Sequence, residues 1–438
     1  MKLGSILIIG LTLFAGQNVY AGGGYEELEQ KLDSRNPRER EAAVRELTSR
    51  ATEDRAFHLL KKATFDTDTE VRAQAVFGLG RSGKKEALSS ITNTLNDKIV
   101  RIRKTAITAA FLVADGSAVR PILKRLSREP DRSLRSQILS EILGSLNRRN
   151  AAKGETRLIE VALSDKDVSI RKQAVSVLVE VGSPKEVTAA LSRRVRVEKD
   201  ATLLKHIVKQ AGDLSDSSAG KIAEAVIPKG DDSIRRVAFD ALESLAQRYP
   251  KDIARILSKF MSNSNESITR MAIHAARKCK SSTITKKLSR IAEKDGKMNI
   301  RTAAINSLGF HAENSRKIVS SLERFGKSPQ AAIRYASVQA LVGRSKNVRY
   351  FEKLLDGKDP EIQAAAIQGL IQMQTRASGK VFISLLKKHS DPSMRILAAR
   401  ALGKYGWDKS CKKAISDASK KDRSPLVRAE AGKIYRSL

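Results

Sequence analysis

Apolar and polar residues alternate along this chain with the spacing of amphipathic helices, in pairs that recur about every 32 residues. The clearest copy is 295–309, which reads Asp-Gly-Lys-Met-Asn-Ile-Arg-Thr-Ala-Ala-Ile-Asn-Ser-Leu-Gly. Relative to Arg301, the apolar residues Ile300, Ala304 and Leu308 stand at offsets −1, +3 and +7. These offsets share one face of a helix, so the pattern predicts a helix that packs its apolar side on a neighbour.

The position of Arg301 in each copy is called the anchor here. About thirteen copies align on it, and ten of the anchors are arginine. The residue before the anchor is aliphatic in every copy except the first, where it is Glu39. The anchors are Arg40, Arg72, Arg103, Arg135, Arg171, Lys205, Arg235, Thr269, Arg301, Arg334, Gln363, Arg395 and Arg428.

A second amphipathic pattern precedes each anchor helix, as Ile284, Leu288 and Ile291 do before Arg301. Asp, Asn, Ser and Pro mark the turn between the two, and prolines such as Pro360 stand where a helix begins. No strand pattern is found. Because one helix pair cannot bury its apolar face alone, the copies must stack. The sequence therefore predicts an all-α fold, a right-handed α-solenoid of about thirteen helix–turn–helix repeats.

These features resemble the HEAT-repeat family, in the short variety found in phycobilisome-lyase-like HEAT proteins. The resemblance rests on the turn acid or proline, the aliphatic–Arg pair, the alanine, and Leu-Gly steps such as Leu79-Gly80 and Leu308-Gly309. It covers nearly all of 25–438. It implies a scaffold that binds other proteins, and no motif carries bilin lyase activity over to this chain.

The repeat pattern weakens in the copies around Lys205 and Thr269. Near Lys205, Gly212 replaces the large apolar residue, and the segments 215–220 and 227–230 interrupt the spacing. We expect residues 193–232 to form a poorly packed repeat that acts as a hinge. Ordinary divergence between repeats is the alternative.

The N-terminus has the pattern of a secretory signal peptide. Lys2 gives a short positive start, residues 3–14 are apolar, and a Val-Tyr-Ala run ends at Ala21. We expect cleavage after Ala21, which leaves 1–21 as the signal peptide and 22–438 as the repeat solenoid. An uncleaved membrane anchor is the alternative, but the apolar run is short for a membrane span.

Acidic residues recur six positions before several anchors, at Asp66, Asp97, Glu129, Asp165, Asp295 and Asp422. A carboxylate in this turn can satisfy turn amides and pair with nearby arginines. In HEAT proteins, such residues form a ladder between repeats. We therefore expect a structural ladder that joins these acids to Arg72, Arg103, Arg135, Arg171, Arg235, Arg301, Arg334, Arg395 and Arg428. A cationic stripe that binds a ligand is the alternative.

The position after the anchor predicts a different role. It should face solvent on the second helix of each repeat, which usually lines the concave face of a solenoid. Basic or potentially basic residues occupy it in repeats three to eight, at Lys104, Lys172, His206, Arg236 and Arg270. This is the candidate binding stripe, and a generic solvated face is the alternative.

No residue constellation indicates catalysis. The histidines are His58, His206, His274, His311 and His389, and no two stand at helix spacing as a local metal pair would. We also find no glycine-rich phosphate loop and no nucleophile elbow. We expect a protein that is not an enzyme, with no metal, no cofactor and no small-molecule substrate.

Charge is what separates the two functional hypotheses. The chain has 82 Lys+Arg and 48 Asp+Glu, a formal net charge of +34. We expect a basic scaffold or adaptor, exported to the periplasm or secreted within the bacterial cell envelope, that binds another protein. The alternative is a polyanion binder for nucleic acid, an anionic lipid surface or an acidic cell-surface polymer. Charge that serves only solubility would favour neither.

Overall fold

The computed structural model describes residues 24–113, 118–146, 155–313, 315–405 and 409–438. Every regular element in these ranges is a helix. The α-helices follow one another in pairs, and each anchor lies in the second helix of its pair. The predicted helix–turn–helix repeat is therefore confirmed. The expected signal peptide at 1–21 lies outside the described residues.

The chain divides into two compact units, between Ser183 and Pro184. The described part of unit 1 holds five helix pairs, and a 3₁₀ turn follows α5 and α9. Its helices are α1 (Tyr25–Leu32), α2 (Pro37–Ser49), α3 (Asp54–Ala63), α4 (Thr69–Arg81), α5 (Ala87–Asn93), α6 (Val100–Val113), α7 (Val119–Leu126), α8 (Arg132–Leu146), α9 (Glu155–Glu160) and α10 (Val168–Val181).

The described part of unit 2 holds eight helix pairs. Its helices are α11 (Pro184–Val197), α12 (Ala201–Asp213), α13 (Gly220–Val226), α14 (Asp232–Arg248), α15 (Pro250–Phe260), α16 (Glu266–Ala275), α17 (Ser282–Lys294), α18 (Met298–Ala312), α19 (Arg316–Phe325), α20 (Ala331–Leu341), α21 (Val348–Leu355), α22 (Pro360–Met373), α23 (Arg376–Lys388), α24 (Pro392–Tyr405), α25 (Lys409–Lys421) and α26 (Pro425–Arg436).

The turn residues explain where the second helices begin. The side chain of Asp68 accepts hydrogen bonds from the N–H groups of Glu70 at 2.8 Å and Val71 at 3.2 Å, which caps α4. Asp359 caps α22 in the same way, and Pro360 occupies the first turn, where no amide hydrogen is needed. Each repeat therefore carries its own signal for the turn between its helices.

Small residues let consecutive second helices approach closely. A Cβ atom on Gly80 of α4 would lie 2.8 Å from the Cα atom of Ala109 on α6. A Cβ atom on Gly309 of α18 would lie 2.8 Å from the carbonyl oxygen of Ala340 on α20. Only glycine fits at this separation, because real Cβ atoms need more room. The second helices form one packed layer within each unit, and the first helices cover its other side.

The weak repeat near 193–232 also folds into helices, α12 and α13. Leu203, Ile207 and Val208 of α12 are fully buried. Its role as a hinge stays a prediction. Among the helices described, none is both long enough and apolar enough to span a membrane.

Candidate functional site

The anchor arginine of each repeat joins two turns. Arg103 of α6 donates from Nη1 to the carbonyl oxygens of Asp97 at 2.9 Å and Lys98 at 3.0 Å, in its own turn. Its Nε and Nη2 donate to the carboxylate of Glu129 in the next repeat, at 2.9 and 2.7 Å. One guanidinium thus satisfies the carbonyls of one turn and holds the acid of the next. Such a bidentate pair is strong when buried, because both partners are ionised and hydrogen-bonded.

The same bidentate contact, or a close variant of it, recurs along the chain and is called a rung here. The structure forms rungs at Arg40–Asp66, Arg72–Asp97, Arg103–Glu129, Arg135–Asp165 and Arg395–Asp422. Arg103, Arg135 and Arg395 are buried, with Arg395 only 1% exposed, whereas Arg40 and Arg72 are half-buried. Burial alone would raise the pKa of Glu129, but hydrogen bonds from Arg103, the Asp131 amide and Arg125 outweigh it and lower that pKa.

The other predicted ladder arginines also donate to backbone carbonyl oxygens. Nη1 of Arg171 donates to the Asp165 carbonyl at 2.9 Å, and Nη1 of Arg428 donates to the Asp422 carbonyl. Arg334 donates to the Ser328 carbonyl at 3.0 Å and reaches Asp359 at 3.6 Å. Arg235 bonds the Ile227 carbonyl and Asp232, and Arg301 bonds the Ala292 carbonyl. Asp295, also a predicted ladder acid, receives no arginine, because its anchor partner is Thr269.

The predicted binding stripe falls on second helices in both units. Lys104 of α6 and Lys172 of α10 are exposed in unit 1. In unit 2, Arg236 of α14 and Arg270 of α16 are exposed, and His206 of α12 is half-buried. All five residues belong to second helices, and their role in binding stays a prediction.

The exposed side of α14 to α22 in unit 2 is called the second-helix face here. On α16, Arg270 and His274 stand four residues apart and are both exposed, so they share one side of the helix. The exposed Lys278 ends the 3₁₀ turn that follows α16. On α18 and α20, the same face presents Phe310 and Tyr335, which are 47% and 40% exposed. Cationic helices thus stand next to helices that carry exposed aromatic rings.

Phe310 is held between two guanidinium groups. The Cζ atom of Arg277 lies 5.7 Å from the centre of the Phe310 ring, and that of Arg344 lies 4.5 Å from it. Arg277 also pairs with the buried carboxylate of Glu243 at 3.0 Å. The ring is therefore oriented by cation–π contacts while almost half of it remains in water.

The sequence reasoning missed this aromatic position. Phe310 lies nine residues after its anchor. This is beyond the positions that recur in every repeat, and the residue there varies from copy to copy. A signal was available, since Phe310 follows Leu308-Gly309 and adds a large apolar residue on the polar side of the helix. The partner arginines come from neighbouring repeats, and spacing within one repeat cannot reveal them.

No metal site is formed by the residues that the structure describes, because no three His, Cys, Asp or Glu side chains converge. Cys279 is buried without a disulfide partner, and burial raises the pKa of its thiol to about 11. A thiol with so high a pKa is a poor nucleophile at neutral pH. The arrangement on the second-helix face suits recognition by charge, hydrogen bonds and ring contacts.

Stacked helix pairs linked by turn-to-turn rungs define an α-solenoid protein. The model of HEAT repeats matches residues 25–111, 58–143 and 348–434. This chain therefore carries HEAT repeats, as the sequence pattern indicated. No curated protein sequence matches it.

Several solved structures are similar to this chain at low sequence identity. One is the complex of CpcE and CpcF of phycocyanin lyase from Nostoc sp. PCC7120, which is 17% identical with a TM-score of 0.30. The match covers 55% of this chain and 95% of the matched chain in that complex. Importin beta is 11% identical with a TM-score of 0.44, and the match covers 94% of this chain and 66% of importin beta. Kap121p is 14% identical with a TM-score of 0.47, over 93% of this chain and 48% of Kap121p.

Proposed function

We propose that this protein is a non-enzymatic scaffold that binds another protein through the second-helix face of unit 2. The exposed Phe310 ring between Arg277 and Arg344 is the observation that carries the proposal. Aromatic residues and arginine dominate the binding energy of protein interfaces, because they combine a large contact area with specific polar contacts. An oriented, half-exposed ring fits such a site better than a generic solvated surface.

The chemistry of the face also indicates what its partner carries. Arg236 and Arg270 offer exposed cations, whereas Lys278 pairs with Glu243 at 2.9 Å. Phe310 and Tyr335 offer rings a few helices away. A polypeptide that places acidic side chains on α14 and α16 and an apolar side chain on Phe310 would match both parts. Among the structures similar in fold, one has Kap121p bound to Ste12p, and another concerns the interaction between cadherin and beta-catenin.

The proposed site of action is the bacterial cell envelope, in the periplasm or outside the cell. The support is the N-terminal pattern, a lysine followed by the apolar run 3–14 and small residues up to Ala21. A scaffold in that compartment would meet its partner after export.

The test is affinity capture from an envelope extract, with nuclease and a salt series, in wild type and variants. We expect defined proteins that stay bound at high salt, and at least a tenfold loss of capture in Phe310→Ala. Phe65→Ala is the matched control, because Phe65 is 78% exposed and follows α3 of unit 1, so it is not a residue of the second-helix face. Equal capture by wild type and Phe310→Ala would refute the proposed face.

Charge reversal tests the predicted stripe separately. Lys104, Lys172, Arg236 and Arg270 changed together to Glu should abolish capture while the helical circular dichroism is unchanged. Arg255→Glu is the single-charge control, since Arg255 is exposed on the first helix α15. Capture that survives the fourfold reversal would remove the stripe from the binding site.

Polyanion binding is the second candidate, favoured by the net charge of +34. The discriminating measurement is the salt dependence of retention. A polyanion binder loses affinity steeply as salt rises. Binding releases counterions from the polyanion, and this release becomes less favourable when the salt concentration is high. Retention only at low salt, and only of nucleic acid, lipid or acidic glycan, would replace the scaffold proposal with this one.

A further inference from the structure

The rung between the repeats of Thr269 and Arg301 is incomplete. The hydroxyl of Thr269 donates to the Asn263 carbonyl at 2.9 Å, the task that Nη1 of an anchor arginine performs elsewhere. Threonine is too short to reach the acid of the next repeat. Asp295 accepts the N–H of Lys297 at 2.9 Å, and no cationic side chain of the described residues pairs with it. The turn acid binds an anchor arginine in five other rungs, but Asp295 has no such arginine among the described residues.

A cavity lies where the missing arginine would run. It has a volume of about 680 Å³, and its lining includes Thr269, Ile291, Asp295 and Ile300. The same crevice at the complete rung of Arg135 has a volume of about 390 Å³. The larger volume agrees with the presence of Thr269 at the position that a long arginine side chain occupies in the complete rung.

The outer wall of this cavity is basic. Lys297 is neutralised by Glu266 at 3.2 Å, and Lys287 bonds the Ser262 hydroxyl at 2.5 Å. Arg290 and Lys294 line the outer wall, and both side chains are exposed. A cation that enters must therefore bring negative charge with it, or Lys287, Arg290 and Lys294 would repel it.

We infer that this cavity is a binding site for an arginine of a partner polypeptide, whose guanidinium completes the rung on Asp295. The guest arginine enters from solvent and lies between Thr269 and Asp295, as Arg103 lies between its own turn and Glu129. An acidic residue beside it in the partner meets Arg290 and Lys294. The site lies at the turn edge of the repeats and does not depend on the second-helix face.

Arginine is preferred to lysine for a geometric reason. A complete rung uses two parallel N–H donors against one carboxylate, which a planar guanidinium provides and an ammonium does not. The neutral isostere citrulline keeps the shape of arginine without its charge. Comparing arginine with lysine therefore tests the geometry of the donors. Comparing arginine with citrulline tests the charge, because both side chains fill the cavity equally.

The probe is the peptide acetyl-Gly-Glu-Arg-Glu-Gly-amide, added to the full chain with ¹³C-labelled methyl groups. We expect saturable shifts of the Thr269, Ile291 and Ile300 methyl signals, with at least tenfold weaker binding of the Lys and citrulline peptides. Signals of Val161 and Ala162, which line the complete rung at Arg135, serve as the internal control and should not move.

Two variants test the chemistry. Asp295→Asn should weaken the Arg peptide at least tenfold, because the carboxylate is lost while the cavity is kept. Thr269→Arg should abolish binding and raise the melting temperature, because it supplies the missing rung in cis. Phe310→Ala should bind the peptide as wild type does, which separates this site from the proposed partner face.

Three results would overturn the inference. The first is the absence of saturable shifts at millimolar Arg peptide. The second is equal binding of the Arg and citrulline peptides, which would mean that Arg290 and Lys294 alone hold the acidic residues. The third is unchanged binding in Asp295→Asn, whatever the behaviour of Thr269→Arg.

Discussion

The carboxylate of Glu129 shows how much one residue does in this fold. Its side chain is fully buried, and it accepts hydrogen bonds from Arg103, Arg125 and the amide of Asp131. Removing one partner of such a cluster leaves buried charges without compensation, which costs about 3–5 kcal/mol. The arginine ladder therefore contributes to the stability of the fold, because changing one member alone lowers the free energy of unfolding.

We predict that Glu129→Gln lowers the local stability of α6 and α8 by about 3 kcal/mol at pH 7. The folded-state pKa of Glu129 is lowered. Its contribution is therefore present above the unfolded pKa, about 4.3, and is lost as the pH falls through the folded pKa. The gap between wild type and variant should thus narrow in acid. Hydrogen exchange of the peptides that cover α6 and α8 measures it from pH 7 to pH 3.

The control for this prediction is Glu86→Gln. Glu86 lies in the same unit, its side chain is exposed, and it should give the same exchange as wild type at every pH. A gap that stays constant from pH 7 to pH 3 would show that Glu129 stabilises the repeat by shape and hydrogen bonding, without its charge.

At the residue scale, the sequence indicated the acids and arginines of the ladder but not their exact partnership. Spacing identifies Arg103 and Glu129 because both recur at fixed offsets. It cannot tell that Thr269 leaves Asp295 unpaired, because the consequence appears only when two turns are placed side by side. Phe310 escaped for a related reason, since Arg277 and Arg344 come from the repeats before and after it.

Helix pairs are held at short range by glycine. We predict that Gly309→Ala destabilises the contact between α18 and α20 by about 1–3 kcal/mol, since the new Cβ atom would crowd a backbone carbonyl that cannot move away cheaply. Gly144→Ala on α8 is the matched substitution. A Cβ atom there meets nothing within 4 Å, so alanine should stabilise α8 by about 0.5–1 kcal/mol. Hydrogen exchange of both helix pairs measures the two effects, and stabilisation by both variants would contradict the packing argument.

At the element scale, periodicity predicted the helices well because each one has a clear apolar face. The turn acids and prolines also placed helix starts correctly, as at Pro360, Pro392 and Pro425. Short 3₁₀ turns such as Thr94–Asn96 were not predicted. Their residues continue the helical spacing, and only the hydrogen bonding of the folded chain distinguishes them.

The whole molecule raises the question of where it acts. We predict that the mature protein begins at Gly22 and is found in the envelope fraction, because Ala21 ends a signal peptide pattern. Intact mass and cell fractionation measure this directly. Ala21→Arg should leave the precursor uncleaved, whereas Gly24→Ser, three residues downstream, should be processed normally. A full-length chain in the cytosol would contradict the proposed export.

The division into two units was not predicted. It falls between Ser183 and Pro184, where the repeat of Lys205 begins, and this is a repeat in which the sequence pattern weakens. The weakened spacing predicted a hinge at 193–232, but it did not indicate a boundary at Pro184. Repeat arrays are stabilised by contacts between neighbours, and the difference between a strong and a weak neighbour contact is a three-dimensional property.

The open rung at Thr269 has a practical consequence for protein engineering. Each rung involves only an anchor and the acid of the following repeat, so the gap is a property of two adjacent repeats that can be moved together. Transplanted into a designed repeat array, this pair would carry an arginine-reading socket to a chosen place. Conversely, Thr269→Arg would close the socket and leave the scaffold otherwise intact. A single substitution would thus remove arginine binding from the array.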